Sequence, residues 1–148
     1  MRGIIQAPAC FSWQDSFSMP IESWTALLAI THRFKFTGVE ARVRREVFEG
    51  TGSRILSPVK HISLAEKHAV PISFIIPALE DIVRHPEPLD EKEVVNLSGE
   101  MVSRIGVARE RYVRESLRMF ASETWLKRVA HDIVKSVWDI EDEEIDEA

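Results

Sequence analysis

Between Ser57 and Glu110 the apolar positions recur every three or four residues in short runs, and nearly every run is closed by a proline, a glycine or a capping side chain. Ser57-Pro58 sets an N-cap beside a ring whose φ suits a first turn, and Val70-Pro71 ends that helix because the residue before proline is pushed out of the α region. Its inward face reads Val59, Ile62, Ala65 and Ala69, with Ile55-Leu56 as a hydrophobic staple at its start. Pro77 would cost about 3 kcal/mol in the interior of one helix over 71–84. A short turn over Ile72–Ile75 followed by a helix with Pro77 in its first turn avoids that penalty and turns Ala78, Leu79, Ile82 and Val83 inward. Pro86 and Pro88 fence off the next segment. Asp90 and Glu93 have capping-box spacing, which predicts a brief helix over 91–97.

The flanks follow the same grammar. Ser18 and Pro20 open a helix ending near Phe36 whose inner face is Ile21, Trp24, Leu28 and Thr31, with Leu27 and Phe34 beside them. Thr37 and Glu40 repeat the capping-box spacing ahead of Val39, Val43 and Val47, leaving Arg42, Arg44 and Arg45 to solvent, and Gly50 and Gly52 are expected to stop this helix in the left-handed conformation. Ser98-Gly99 opens a helix over about 100–120. One stripe carries Met101, Ile105, Ala108 and Tyr112, and a rotated stripe carries Val113, Leu117 and Phe120, which predicts two packing neighbours. Ser122 caps a last helix with Leu126, Val129, Ile133 and Val137, and Trp125 and Trp138 at its ends. Period-two alternation is lacking over any convincing length, so the expected class is all-α: about seven short amphipathic helices in a compact, largely antiparallel array. Residues 1–19 read as an extended lead-in, 20–138 as one helical domain and 139–148 as an acidic tail.

Charge refines this picture. The net charge is −5, but seven acidic residues lie from Asp139 onward and leave the first 138 residues at +2. Acidic groups sit badly at a helix C-terminus, so helical order should fade around Trp138. A chain of 148 residues should bury roughly two-thirds of its extended surface without staples. The single cysteine, Cys10, cannot form an internal disulfide, which favours an intracellular setting, cytoplasmic or nuclear. The N-terminal stretch is too weakly apolar for a secretory signal, and no window approaches the ~18 apolar residues of a membrane span.

Candidate chemistry is sparse. His61 and His68 lie two turns apart on one helix, too far for one metal ion without other ligands, and read as two partly exposed histidines. His131-Asp132 are neighbours in sequence but point about 100° apart on a helix. Neither a nucleophile elbow nor a phosphate-cradling glycine loop is present, and Cys10 has no marked helix N-terminus to activate it. The expectation is therefore no catalytic residue, no metal and no cofactor. Arg104, Arg111, Arg114 and Arg118 can line one side of the long helix as a nucleic-acid surface, but Glu110 and Glu115 stand ready to pair with them and the body lacks a clearly basic field, so a salt-bridged solvent face is favoured. Of the four tryptophans, Trp13, Trp24 and Trp138 are candidate partner-binding residues. Trp24 sits centrally on an apolar face and suits a core, whereas Trp138 borders the acidic tail and is expected to be exposed.

Several short motifs in order, Glu22-Ser23-Trp24, Pro58-Val59-Lys60, Leu64-Ala65-Glu66-Lys67, Pro77-Ala78-Leu79, His85-Pro86-Glu87-Pro88-Leu89 and Ala108-Arg109-Glu110, resemble the helical region that follows the BTB (POZ) domain in fungal BTB-domain proteins. The match spans roughly 21–110 and rests on ordered spacing. It implies a helical annex without catalytic residues, serving protein–protein interaction. The chain departs from the pattern in that the BTB core, a mixed α/β unit of about a hundred residues expected before residue 20, has no room, and Leu97-Ser98-Gly99 replaces a leucine-rich helix start. Dimerisation through that core therefore does not carry over. A missing head would instead leave an apolar face over Ile21 to Val47 exposed, open to an unknown protein partner or to self-association.

Overall fold

Serine and aspartate side chains start the helices that the sequence marks most clearly. The computed structural model describes residues 19–50, 55–118 and 122–141, and within them the chain runs α1 (Ile21–Phe34), α2 (Thr37–Phe48), α3 (Pro58–Lys67), a 3-10 turn (Ile72–Ile75), α4 (Ile76–Arg84), α5 (Glu91–Val95), α6 (Gly99–Ser116) and α7 (Glu123–Val137). The fold is all-α, with no strand among the described residues. Ser57 Oγ accepts from the Lys60 amide at 3.2 Å, Ser98 Oγ from Met101 at 3.1 Å and Ser122 Oγ from Trp125 at 3.2 Å. Asp90 and Glu93 complete the capping box in both directions, at 2.8 and 2.9 Å. Each such bond satisfies an amide that a helix start leaves without a partner.

The first two helices lack these devices. Pro20 and Phe36 precede α1 and α2 with no side-chain cap, and Ser18 lies outside the described residues. The box expected from Thr37 and Glu40 does not form: Thr37 is already helical, and Glu40 Oε1 instead accepts from Arg44 at 2.5 Å. Arg42 likewise pairs with Glu46 at 2.9 Å, so these two arginines lie half-buried in intrahelical ion pairs where free solvation was expected.

Helix ends also depart from expectation. No described glycine takes a positive φ, and Gly52 lies outside the described residues. The left-handed positions are Lys35 (φ 54°), Ala69 (φ 51°) and Asp139 (φ 51°), one after each of α1, α3 and α7. In each case the next amide reaches back five residues: Phe36 to the Thr31 carbonyl at 3.1 Å, Val70 to Ala65 at 2.9 Å and Ile140 to Lys135 at 3.0 Å. This is the Schellman geometry, built here without glycine. Ala69 consequently belongs to the exposed turn and not to the inner face of α3.

The core is organised around α4, which packs against α3, α6 and α7. Ala78, Leu79, Ile82 and Val83 are all buried, and Pro77 occupies the first turn as predicted. Full burial of Leu79 stabilises the fold by about 1.5–3 kcal/mol. Met101, Ile105 and Ala108 of α6 and Ala130, Ile133 and Val134 of α7 are buried as well. In α1 the buried set is Ile21, Trp24, Leu28 and Thr31, and α1 lies on α2, which contributes Val43, Val47 and Phe48. Phe48 then meets His61 of α3 and Phe74 of the 3-10 turn, with ring centroids 5.6 and 6.1 Å apart.

Two expectations fail at the far end of the chain. Trp138, read as exposed, is 5 % exposed: it stays in the last turn's hydrogen-bonding pattern, its amide bonded to Val134 O, and its ring joins the core. The helix α6 does pack on two neighbours, α4 and α7, but among the described residues the rotated stripe is not the face that meets them. Val113 and Leu117 are 53 % and 81 % exposed, while Phe120 lies outside the described residues.

Candidate functional site

His61 of α3 and His68, which caps the C-terminus of α3, are both buried, contrary to the reading from spacing, and both face the α1–α2 hairpin. His61 Nε2 donates to the Val47 carbonyl at 3.0 Å, a bond that satisfies the polar end of an otherwise core-facing ring. His68 meets His32 of α1 edge-on, centroids 6.0 Å apart. Burial, then the adjacent Lys67 and then His32, hold the His68 imidazole below its ordinary pKa of 6.5. His131 pairs across helices with Glu80 of α4, Nδ1 to Oε1 at 2.5 Å, while Asp132 is exposed. Among the described residues no group of three His, Cys, Asp or Glu is arranged to hold a metal ion. Cys10 and Trp13 lie outside the described residues, and Trp24 is buried in the hairpin at 5 % exposure.

The four arginines proposed for nucleic acid each have a local partner. Arg104 pairs with Glu100 at 2.7 Å, Arg114 with Glu110 at 2.6 Å and Arg118 with Glu115 at 3.3 Å, and Arg111 donates to Ser136 Oγ at 3.3 Å. Exposed pairs of this kind contribute only about 0–1 kcal/mol each. Their effect here is on the field, because an acidic partner beside each of three arginines removes the uniformly positive strip that a phosphate backbone selects.

Several polar side chains of α3, α4 and α6 act as structural ties between elements. Arg109 sends one guanidinium nitrogen to the carbonyls of both His85 and Glu87, clamping the proline-fenced segment onto α6. Glu66 accepts from the amide and hydroxyl of Ser98, tying α3 to the start of α6. Arg84 reaches Glu123 at 2.5 Å, and this carboxylate, with a smaller contribution from the Tyr112 hydroxyl, raises the guanidinium pKa further above its ordinary value. Between Ser57, Asp81, Leu89 and Arg109 lies a cavity of about 280 Å³. Part of its polar lining is already engaged: Asp90 and Glu93 in the capping box, Arg109 on the loop carbonyls and Ser57 as the cap of α3.

A shallow groove opens on the other side of Arg109, formed by Pro86 and Pro88 on one wall and by Glu110, Val113, Arg114 and Leu117 on the other. It joins exposed aliphatic carbon to a rigid proline corner. A second apolar surface lies where α1 turns into α2: Phe34 and Phe36 stack at 6.0 Å and are 59 % and 54 % exposed, with Ile30 nearby at 44 %. The wider face expected to stay open from Ile21 to Val47 is closed along its inner stripe, since Trp24, Leu28, Val43 and Val47 are buried. Sequence reasoning missed the α6 groove. Its signal was the rotation of Val113 and Leu117 away from the buried stripe, which reads equally as a second packing face or as exposed aliphatic surface. Compared with family models, curated proteins and solved structures, the chain matches none. No helix among the described residues is long and apolar enough to cross a membrane.

Proposed function

We propose that this chain is a non-enzymatic protein–protein interaction module, akin to the post-BTB helices of fungal BTB-domain proteins, working inside the cell in the cytoplasm or nucleus. The observation that carries the reading is the outer half of α6. Leu117 and Val113 present aliphatic side chains to solvent beside the Pro86–Pro88 corner, while the neighbouring arginines are paired with the helix's own glutamates. A rigid, preformed apolar strip with a charged rim suits the core-and-rim anatomy of a protein interface. Such a strip gives a nucleic acid little to hold.

The test is retention on the immobilised chain, comparing wild type with Leu117→Asp after far-UV circular dichroism has shown equal helicity. A protein retained in stoichiometric amount by wild type and lost with Leu117→Asp supports the reading. Retention of nucleic acid at low salt, falling steeply as salt rises and indifferent to Leu117→Asp, overturns it in favour of a binder using Arg104, Arg111, Arg114 and Arg118.

A further inference from the structure

The exposed strip of α6 is self-complementary. At 100° per residue, Gly106, Glu110, Val113 and Leu117 fall within an arc of roughly 60°, the four–three–four spacing of a helix–helix seam, with Arg114 along its edge. At one end of the strip Gly106 is bare: a side chain there would meet nothing within 4 Å. At the other end stands Leu117, 81 % exposed. Between them lie one acid, Glu110, and one base, Arg114, both largely in solvent.

We infer that this face is a two-fold contact with a second copy of the chain, the two α6 helices running antiparallel. An axis passing midway between Gly106 and Leu117 sets Leu117 of one copy over the bare Gly106 of the other, twice. The same axis places Glu110 of each copy beside Arg114 of the other and brings the two Val113 side chains to the centre. An interface of this symmetry requires one patch to complement itself, and this sequence of knob, base, acid and hole does so. Glycine at the seam lets the backbones approach, and the pairs Glu110–Arg114 within each helix extend into a four-membered network across the contact. The contact rests on the interaction reading above and gives it an occupant. One helix face per copy is small beside the ~1,200–2,000 Å² of a stable complex, so the association is reversible and depends on concentration.

Sedimentation velocity on the full chain, from low micromolar to near-millimolar concentration, should show the mass rising from monomer towards dimer. Glu110→Arg and Arg114→Glu each place like charges across the axis and should hold the chain monomeric, whereas the double swap E110R/R114E restores both the internal and the crossed pair and should recover the dimer. Gly106→Gln fills the hole without touching its own fold, so the melting temperature should hold or rise while dimerisation is lost. A chain monomeric at every concentration overturns the inference, and if it still retains a protein through Leu117 the interaction reading survives alone. A dimer equally strong in all four variants also overturns it and moves self-association to another face.

Discussion

The α1–α2 hairpin and the α3–α7 body are built on different principles. Four body helices, α3, α5, α6 and α7, begin on a side-chain cap, and the body is cross-tied by Glu66–Ser98, Arg84–Glu123, Glu80–His131 and Arg109 on the loop carbonyls. The hairpin helices begin on Pro20 and Phe36 without a cap, and they meet the body through Val47, Phe48 and His32 against two buried histidines and Phe74. Local chemistry therefore specifies the body, whereas the hairpin is held over its seam by packing and by the buried hydrogen bond from His61 to the Val47 carbonyl. Regions held this way open at lower free energy than those with capped, cross-tied helices, so amide exchange should proceed first in α1 and α2 and last in α4.

The largest test of this contrast is Trp138→Ala. The side chain closes the body's far end at 5 % exposure, and its removal should cost about 3–5 kcal/mol by denaturant unfolding. A loss below 1 kcal/mol would show the body end to be as loose as the sequence suggested. Next comes Ser98→Ala, which removes the α6 cap and the hydroxyl half of the tie to Glu66 while leaving the amide half in place. A loss of about 1–2 kcal/mol is expected, against about 1 kcal/mol for the simple cap Ser57→Ala.

Acid should then loosen the seam between the two regions. The folded pKa of His68 lies below its unfolded value near 6.5, so the unfolded chain takes up the proton first. The stability that His68 contributes is complete above pH 6.5 and is lost as pH falls through the folded value. The melting temperature should fall from pH 7 to 5, and His68→Gln should flatten that slope. The smallest effect belongs to the helix ends: Ala69→Gly relieves a left-handed alanine in an exposed turn and should raise stability by about 0.5–1 kcal/mol. If it destabilises instead, the turn's conformation is set by something other than its own backbone.

What the sequence made legible follows the same division. The cap residues Ser57, Asp90, Ser98 and Ser122 and the placement of Pro77 are local signals, readable because their partners lie three or four residues away. The burial of His61 was hidden because its acceptor, the Val47 carbonyl, is 14 residues distant and backbone carbonyls leave no trace in a pattern of side chains. Trp138 was misread because its acidic neighbours advertise solvent, although the residue that caps a helix's C-terminus still points inward when its face is the buried one. Thr37 and Glu40 had the right spacing one residue too late, since Phe36 occupies the cap position. The groove on α6 was visible only as a stripe out of phase, and phase alone does not say whether a neighbour is waiting there.

Arg109 carries one more consequence, for the order of assembly. Its two carbonyl acceptors lie 24 and 22 residues back along the chain, so the segment from His85 to Glu87 cannot settle until the sixth helix has wound and swung onto the fourth. Closing that ring taxes entropy early and returns it late. Shortening Arg109 to lysine should leave the refolding rate nearly untouched and quicken unfolding, the signature of a latch that fastens after the summit has been crossed.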